Sequence, residues 1–462
     1  METLKKIKGS LSGKGIAIAI LTLVLLIPNS MILSLIEERQ ERSRETIQKI
    51  NDKWSRSQTL CAPLLLVPYT IPSTITTLDT DKKVYRSMEE RTLFITPKEL
   101  KINASLTPEE RYYGIYKAIL YESDLHFKGN FSGLADLKIE SGNLHFDRAQ
   151  IAIGITDLKG VTQNPSVRIG DKMLETTVGT VKLFSISEAG ESSRGYKRDY
   201  YPKISNKTLI VSLERINLAD SLPQSLDFDF AIKLNGSGSL NFIPIGQHTT
   251  VTVDGQWSSP SFIGGFSPKS TIDNKQFNAA WSILSFNREI PETWSNDNFD
   301  NLGDNSFGVN LIETVDHYQQ NMRSAKYALM FIALTFIVFF FVEIFTKKPI
   351  QLFQYVLVGI ALILFYSLLL SLSEQIGFGL AYLAASIATI SLITVYFHSL
   401  IKQKFATLTL AGIMLILYAF LYIILQLEDF ALLFGSIFLF VILGVTMFVS
   451  NRIKLVKDVA GE

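Results

Sequence analysis

The sequence is short of several things. It holds one cysteine, Cys61, among 462 residues, which excludes an intramolecular disulfide and a cysteine-based zinc site. Charge is scarce: 19% of residues are Asp, Glu, Lys or Arg, and 44 basic against 43 acidic side chains leave a net charge of +1. Bulk charge therefore favours neither nucleic acid nor an acidic polymer as a partner. The five histidines, His126, His145, His248, His317 and His398, are widely spaced, and neither H-E-x-x-H nor G-x-S-x-G occurs. Glu313 and His317 share a possible helix face without a third ligand. Ser399 and Lys402 match S-x-x-K without its companion motifs. Gly236, Gly238 and Gly246 read as strand turns, because no helix follows to cradle a phosphate. No catalytic residue, metal site or cofactor is expected.

What the chain does have is apolar length. Mean hydropathy is +0.24, and the apolar residues cluster before residue 37 and after residue 326. A bilayer core of roughly 30 Å needs about 20 apolar residues of helix. Residues 15–35 meet that length behind Lys5, Lys6, Lys8 and Lys14, with no A-x-A cleavage site, and read as an uncleaved signal anchor kinked at Pro28. Further spans are predicted at 327–345, 352–372, 376–397, 405–425 and 430–449. The connections alternate. Lys347 with Lys348, Lys402 with Lys404, and Arg452 with Lys454 and Lys457 lie on the side of the N-terminal lysines, whereas the loops around Glu374 and around Glu428 and Asp429 hold no lysine or arginine. The positive-inside rule then places both termini in the cytoplasm.

Between the first two spans the strand period dominates. Leu226, Phe228, Phe230, Ile232 and Leu234 alternate with polar residues up to Asn235-Gly236-Ser237-Gly238, predicting a half-buried strand and a hairpin or meander over 226–253. Pro63 and Pro68 bracket a short apolar strand, and Pro260 is expected to leave the sheet for want of a ladder donor. Trp257 and Phe262 then form an aromatic pair, either packed into the core or exposed as a binding ridge. Residues 37–56 read as a helix continuing from the first span, a solvated spacer or a partner-binding surface. The predicted fold class is a membrane protein of six transmembrane α-helices, with a large, mostly β, sandwich-like extracytoplasmic domain between the first and second. Its divisions are 1–36 (cytoplasmic N-terminus and signal anchor), 37–326 (β domain), 327–450 (five-helix bundle) and 451–462 (cytoplasmic tail).

Ionisable residues in membrane segments are functional candidates. Glu343, four residues before Lys347, is expected in an i,i+4 ion pair at the interface. Glu374, Glu428 and Asp429 are either wet loop carboxylates or a polar cluster beneath the outer domain, serving as a docking surface or an ion site. Gly377, Ala381, Ala385 and Ala388 form a small-residue stripe suited to close helix packing.

Several segments occur together in one order: Ala62-Pro63-Leu64-Leu65-Leu66-Val67-Pro68-Tyr69, Arg111-Tyr112-Tyr113-Gly114-Ile115-Tyr116, Phe242-Ile243-Pro244-Ile245-Gly246, and the run from Trp257 to Phe266. Ser306-Phe307-Gly308-Val309, Asp316-His317-Tyr318, Ser371-Leu372-Ser373-Glu374 and Leu427-Glu428-Asp429-Phe430 follow. Together they resemble the CreD family of bacterial inner-membrane, cell-envelope-integrity proteins. The resemblance implies a link to envelope integrity and stress. With the large domain and no catalytic constellation, the leading reading is a non-enzymatic protein whose β domain binds another envelope component, with the lipid bilayer as its other partner and no nucleic acid. A transporter or lipid-handling protein using the helix bundle and an envelope hydrolase are the competing readings.

Overall fold

The computed structural model describes residues 11–76, 84–139, 142–181, 183, 207–218, 221–295, 302–311, 317–346, 348–427 and 430–451. The chain divides into two compact units, Glu45–Thr314 on the one hand and Met1–Arg44 with Val315–Glu462 on the other.

The unit Glu45–Thr314 is built of strands. In chain order they are β1 (Gln58–Thr76), β2 (Val84–Ile95), β3 (Glu99–Tyr113), β4 (Tyr116–Ser132), β5 (Asn143–Leu144) and β6 (Gln150–Ile155). Then come β7 (Ser166–Ile169), β8 (Lys172–Glu175), β9 (Thr177–Thr180), β10 (Lys207–Ser212), β11 (Ser225–Ser237) and β12 (Ser239–Phe242). The last are β13 (His248–Gly255), β14 (Pro260–Gly264), β15 (Lys269–Ile272), β16 (Phe277–Leu284), β17 (Thr293–Ser295) and β18 (Phe307–Leu311). One sheet runs β14-β18-β12-β1-β6-β10-β9, with β2, β5 and β17 attached around the long β1; the other runs β15-β16-β13-β3-β4-β11-β7-β8.

β3, β11, β13 and β16 alternate inward and outward positions, as half-buried strands do, whereas β6 and β10 are buried almost throughout. On β11, Leu226, Phe228, Phe230, Ile232 and Leu234 are buried while Asp227 and Lys233 face out. Aromatic contacts join the two sheets: Trp281 of β16 meets Phe307 of β18 at 5.3 Å, and Phe262 of β14 meets Phe277 of β16 at 6.4 Å. One apolar core draws on both sheets, so the unit is a sandwich.

Three local expectations are corrected. The segment 226–253 is neither a hairpin nor a meander. β11 pairs with β4 and β7, β12 pairs with β1 and β18 of the other sheet, and β13 returns to pair with β3 and β16. Gly238, at φ 68°, turns the chain from one sheet to the other in a conformation that favours glycine. Second, Pro260 begins β14 rather than leaving the sheet; β14 is an edge strand, where a residue without an N–H is tolerated. Third, β1 is far longer than the four apolar residues between its prolines. Pro63 falls where the register with β6 shifts between Cys61 and Leu64, and β6 pairing stops at Leu66, before Pro68.

The other unit is helical: α1 (Leu11–Val24), α2 (Leu26–Trp54), whose last turns enter the β unit, α3 (His317–Lys326), α4 (Ala328–Thr346), α5 (Leu352–Ile376), α6 (Phe378–Ile401), α7 (Lys404–Gln426) and α8 (Ala431–Asn451). Among the described residues five helices are long and apolar enough to cross a membrane, the first of them Gly13–Trp54, and α8 adds a shorter apolar stretch, Leu433–Phe448. The α1–α2 break at Leu25 follows from Pro28, which offers no N–H to the Val24 carbonyl and crowds it. Gly377, at φ 77°, makes the turn between α5 and α6 rather than part of a stripe. Ala381 and Ala385 are buried, but Ala388 is exposed.

α2 hands over to β1 through a buried amide. Gln58 Nε2 lies 2.8 Å from Ser55 Oγ, 3.0 Å from Asp157 O and 3.1 Å from Asn235 O, while its Oε1 accepts from Asp157 N and Thr156 Oγ1, each at 3.2 Å. Both the nitrogen and the oxygen of this buried amide are thus satisfied, as buried polar groups require.

Candidate functional site

Two polar clusters lie at opposite ends of α5, which is otherwise apolar. Tyr355 and Ser373 are 18 residues apart on that helix, roughly 27 Å at 1.5 Å per residue. That distance approaches the thickness of a bilayer hydrocarbon core.

At the first end Glu343 of α4 is the centre. Its carboxylate pairs with Lys14 of α1, accepts from the Ile350 N–H at 3.1 Å and from the Tyr355 hydroxyl at 2.9 Å. Lys14 Nζ also donates to the Ile350 carbonyl at 2.5 Å. The side chains of Lys14 and Glu343 are 24% and 12% exposed, so this is a largely buried ion pair. The expected partner was Lys347, which lies outside the described residues. Among the described residues the two oxygens of Glu343 are engaged by Lys14, Ile350 and Tyr355. Helical spacing can find a partner on the same helix, but not one 329 positions away in the chain.

At the other end Glu374 accepts from the hydroxyl of Tyr318 on α3 at 3.0 Å. One residue earlier, Ser373 Oγ accepts from Asn321 Nδ2 at 2.7 Å and donates to the Leu370 carbonyl at 2.9 Å. Asn29 of α2 donates to the Ala325 carbonyl at 3.3 Å. Tyr318, Asn321, Ser324, Ser373 and Asn29 are all buried. Glu428 and Asp429, expected beside Glu374, lie outside the described residues. Sequence reading missed Tyr318, Asn321 and Ser373 as partners; the available signal was a run of polar residues leading straight into an apolar span.

In the sandwich, Trp257 and Phe262 are half-buried and pack against the core. Phe262 meets Trp281 edge-on at 5.8 Å and 80°, and so belongs with the core aromatics rather than on an exposed ridge. His126 and His248 form cross-strand pairs with Asp229 at 2.9 Å and Glu99 at 3.1 Å. Among the described residues no three His, Cys, Asp or Glu side chains come together to hold a metal.

The most distinctive surface is a projecting arm. β13 pairs with β3 only as far as Leu106, and β11 pairs with β4 only from Leu120 onward. Thr107–Ala118 therefore forms a two-stranded hairpin whose outer edges pair with no further strand among the described residues. Its tip, turned at Gly114 with φ 62°, exposes Tyr112, Tyr113 and Ile115 at 65%, 66% and 37%. Arg111 lies over the Trp54 ring at 4.2 Å, a cation–π contact that ties the arm to the end of α2. Glu110 accepts from Lys117 at 3.1 Å and Tyr112 at 3.0 Å, and the Lys117 hydrogen bond holds its carboxyl below the usual range.

An apolar helix, a mostly β unit and then a run of apolar helices are thus in place along one chain. The family described as "Inner membrane protein CreD" matches residues 10–456. The protein of that description from Escherichia coli (strain K12) is 29% identical over 437 residues, 93% of this chain and 90% of that one. With its β unit set between apolar helices and matched across nearly its whole length, this chain belongs to the CreD family of inner membrane proteins.

Proposed function

We propose that the protein supports envelope integrity or the envelope stress response without catalysing a reaction, by binding another envelope component through its β unit on the outer side of the cytoplasmic membrane. The observation that carries this reading is the arm Thr107–Ala118, with its open strand edges and exposed Tyr112, Tyr113 and Ile115. Unpaired edges invite strand addition, and tyrosine is enriched at binding hot spots. The test is complementation. A strain lacking the gene and sensitive to envelope stress should be rescued by the wild type but not by Tyr112→Ser/Tyr113→Ser, with both proteins present at equal levels. A photo-crosslinking residue at position 113 should capture a partner in cells, and the capture should be lost in Arg111→Ala. Full rescue by the double variant would remove the arm from the mechanism.

The orientation, with the β unit outside and both termini in the cytoplasm, rests on the alternation of basic and lysine-free loops. Single cysteines at positions 80, 190 and 428 should react with an impermeant thiol reagent in intact spheroplasts, and those at 348 and 404 only after lysis. Native Cys61 is fully buried, and burial pushes its thiol pKa up, so it remains silent in the assay. Labelling at 348 in intact cells would overturn the arrangement.

A further inference from the structure

We propose that the polar face of α3 binds one monovalent alkali cation between α2, α3 and α5. Four side-chain oxygens there are buried with no hydrogen-bond partner: Asn29 Oδ1, Gln320 Oε1, Asn321 Oδ1 and Ser324 Oγ. Asn321 is 1% exposed, Ser324 0% and Asn29 6%. The orientation of two of these amides is fixed by what their nitrogens do. Asn321 Nδ2 spends its two hydrogens on the His317 carbonyl and Ser373 Oγ, both at 2.7 Å, and Asn29 Nδ2 faces the Ala325 carbonyl. Their carbonyl oxygens are therefore the unpaired ends, and three of the four orphans can only accept. An acceptor-rich set calls for a cation or a donor.

The oxygens share one side of the helix. At about 100° per residue, Gln320, Ser324, Asn321 and Ala325, the last contacted by Asn29, fall within an arc of roughly 140°. Arg323 and Lys326 fall on the opposite side. One further feature supplies negative potential. Glu374, next to Ser373 and held by Tyr318, contributes a single carboxylate. One carboxylate among neutral oxygens balances a monovalent ion; a divalent ion draws more carboxylates.

The test uses the full-length protein in detergent. Thermal unfolding of the helices is followed by circular dichroism at 222 nm in sodium, potassium or N-methylglucamine chloride at equal ionic strength. The midpoint should rise saturably with one alkali cation over N-methylglucamine. Ser324→Ala, a small change, should raise the concentration for half the effect at least tenfold, and Asn29→Leu should do the same. Ser30→Ala, altering an exposed hydroxyl bonded to the Ile27 carbonyl, should leave the response unchanged. Equilibrium dialysis of sodium-22 or rubidium-86 should give one ion per chain. Identical midpoints in all three salts would mean that ordered water fills the cluster, and equal responses of wild type and Ser324→Ala would mean a general salt effect; either result overturns the proposal.

Discussion

Phe230 of β11 stacks on Phe127 of β4, ring centroids 4.8 Å apart and planes within 5°. Their neighbours in sequence, Asp229 and Lys128, face the other way. Phe230→Ala should destabilise the sandwich by about 3–5 kcal/mol, whereas Asp229→Ala removes only a half-exposed contact to His126 and should cost about 0–1 kcal/mol. All four tryptophans, Trp54, Trp257, Trp281 and Trp294, lie in this unit, so tryptophan fluorescence of the full-length protein during denaturation measures both. Equal effects would contradict the face assignment.

Gly236 is on β11 because Tyr121 occupies the place of a side chain. A Cβ there would stand 2.2 Å from the Tyr121 hydroxyl, which itself donates to the Ser239 carbonyl at 2.8 Å. Gly236→Ala should cost about 1–3 kcal/mol by overpacking, and Tyr121→Phe about 0.5–1.5 kcal/mol through the lost hydrogen bond. Since both act on one ring, the double variant should lose less than the sum.

For the buried pair, Glu343→Gln leaves Lys14 without its counter-charge. The loss should be about 3–5 kcal/mol, as for other broken buried pairs, read as a lower helical unfolding temperature in detergent. Lys14→Met combined with Glu343→Leu removes both charges and should recover much of that loss. A double variant no better than Glu343→Gln would show that the Tyr355 and Ile350 hydrogen bonds, rather than the ion pair, carry the stabilisation.

The arm makes a pH prediction. The folded state depresses the Glu110 carboxyl through Lys117, so its contribution is present above the unfolded carboxylate pKa and is lost as pH falls through the lower folded value. Carbon-13 NMR of labelled glutamate, assigned with Glu110→Gln, should find this residue titrating below the other exposed glutamates. Lys117→Met should return it towards them; an unchanged titration would place the cause elsewhere.

Much of this architecture is legible in the residues. The long apolar helices follow from apolar length, and the β11 face follows from alternation, because both are local patterns in the chain. Four features were not legible. Asn235-Gly236-Ser237-Gly238 has the composition of a turn whether or not the strand runs through it, and only Tyr121 reveals that Gly236 is a packing glycine. Pro260 excludes a central strand but not an edge. Glu343 finds Lys14 and Glu374 finds Tyr318 through tertiary contacts, to which no sequence spacing points. Nothing local marks Asn321 and Ser324 as buried, and only the structure shows it, with Asn321 bonded to Ser373 of α5.

The order of strands in the two sheets has a consequence for biosynthesis. β1 lies beside β12, β12 beside β18, and β2 beside β17, so the first strand made waits for partners made much later. β18 ends about 250 residues after β1 begins, a stretch that takes roughly 10–50 s to translate at about 5–20 residues per second. Hairpins between chain neighbours, β1 with β2, β3 with β4, β7 with β8 and β15 with β16, can form early, but they leave the edge that β12 and β18 later cover. The sandwich therefore closes when β18 emerges, just ahead of α3 and α4, and until then an apolar strand edge is open. A nascent chain halted before Phe307 should be protease-sensitive throughout this unit, and one halted after α4 should resist.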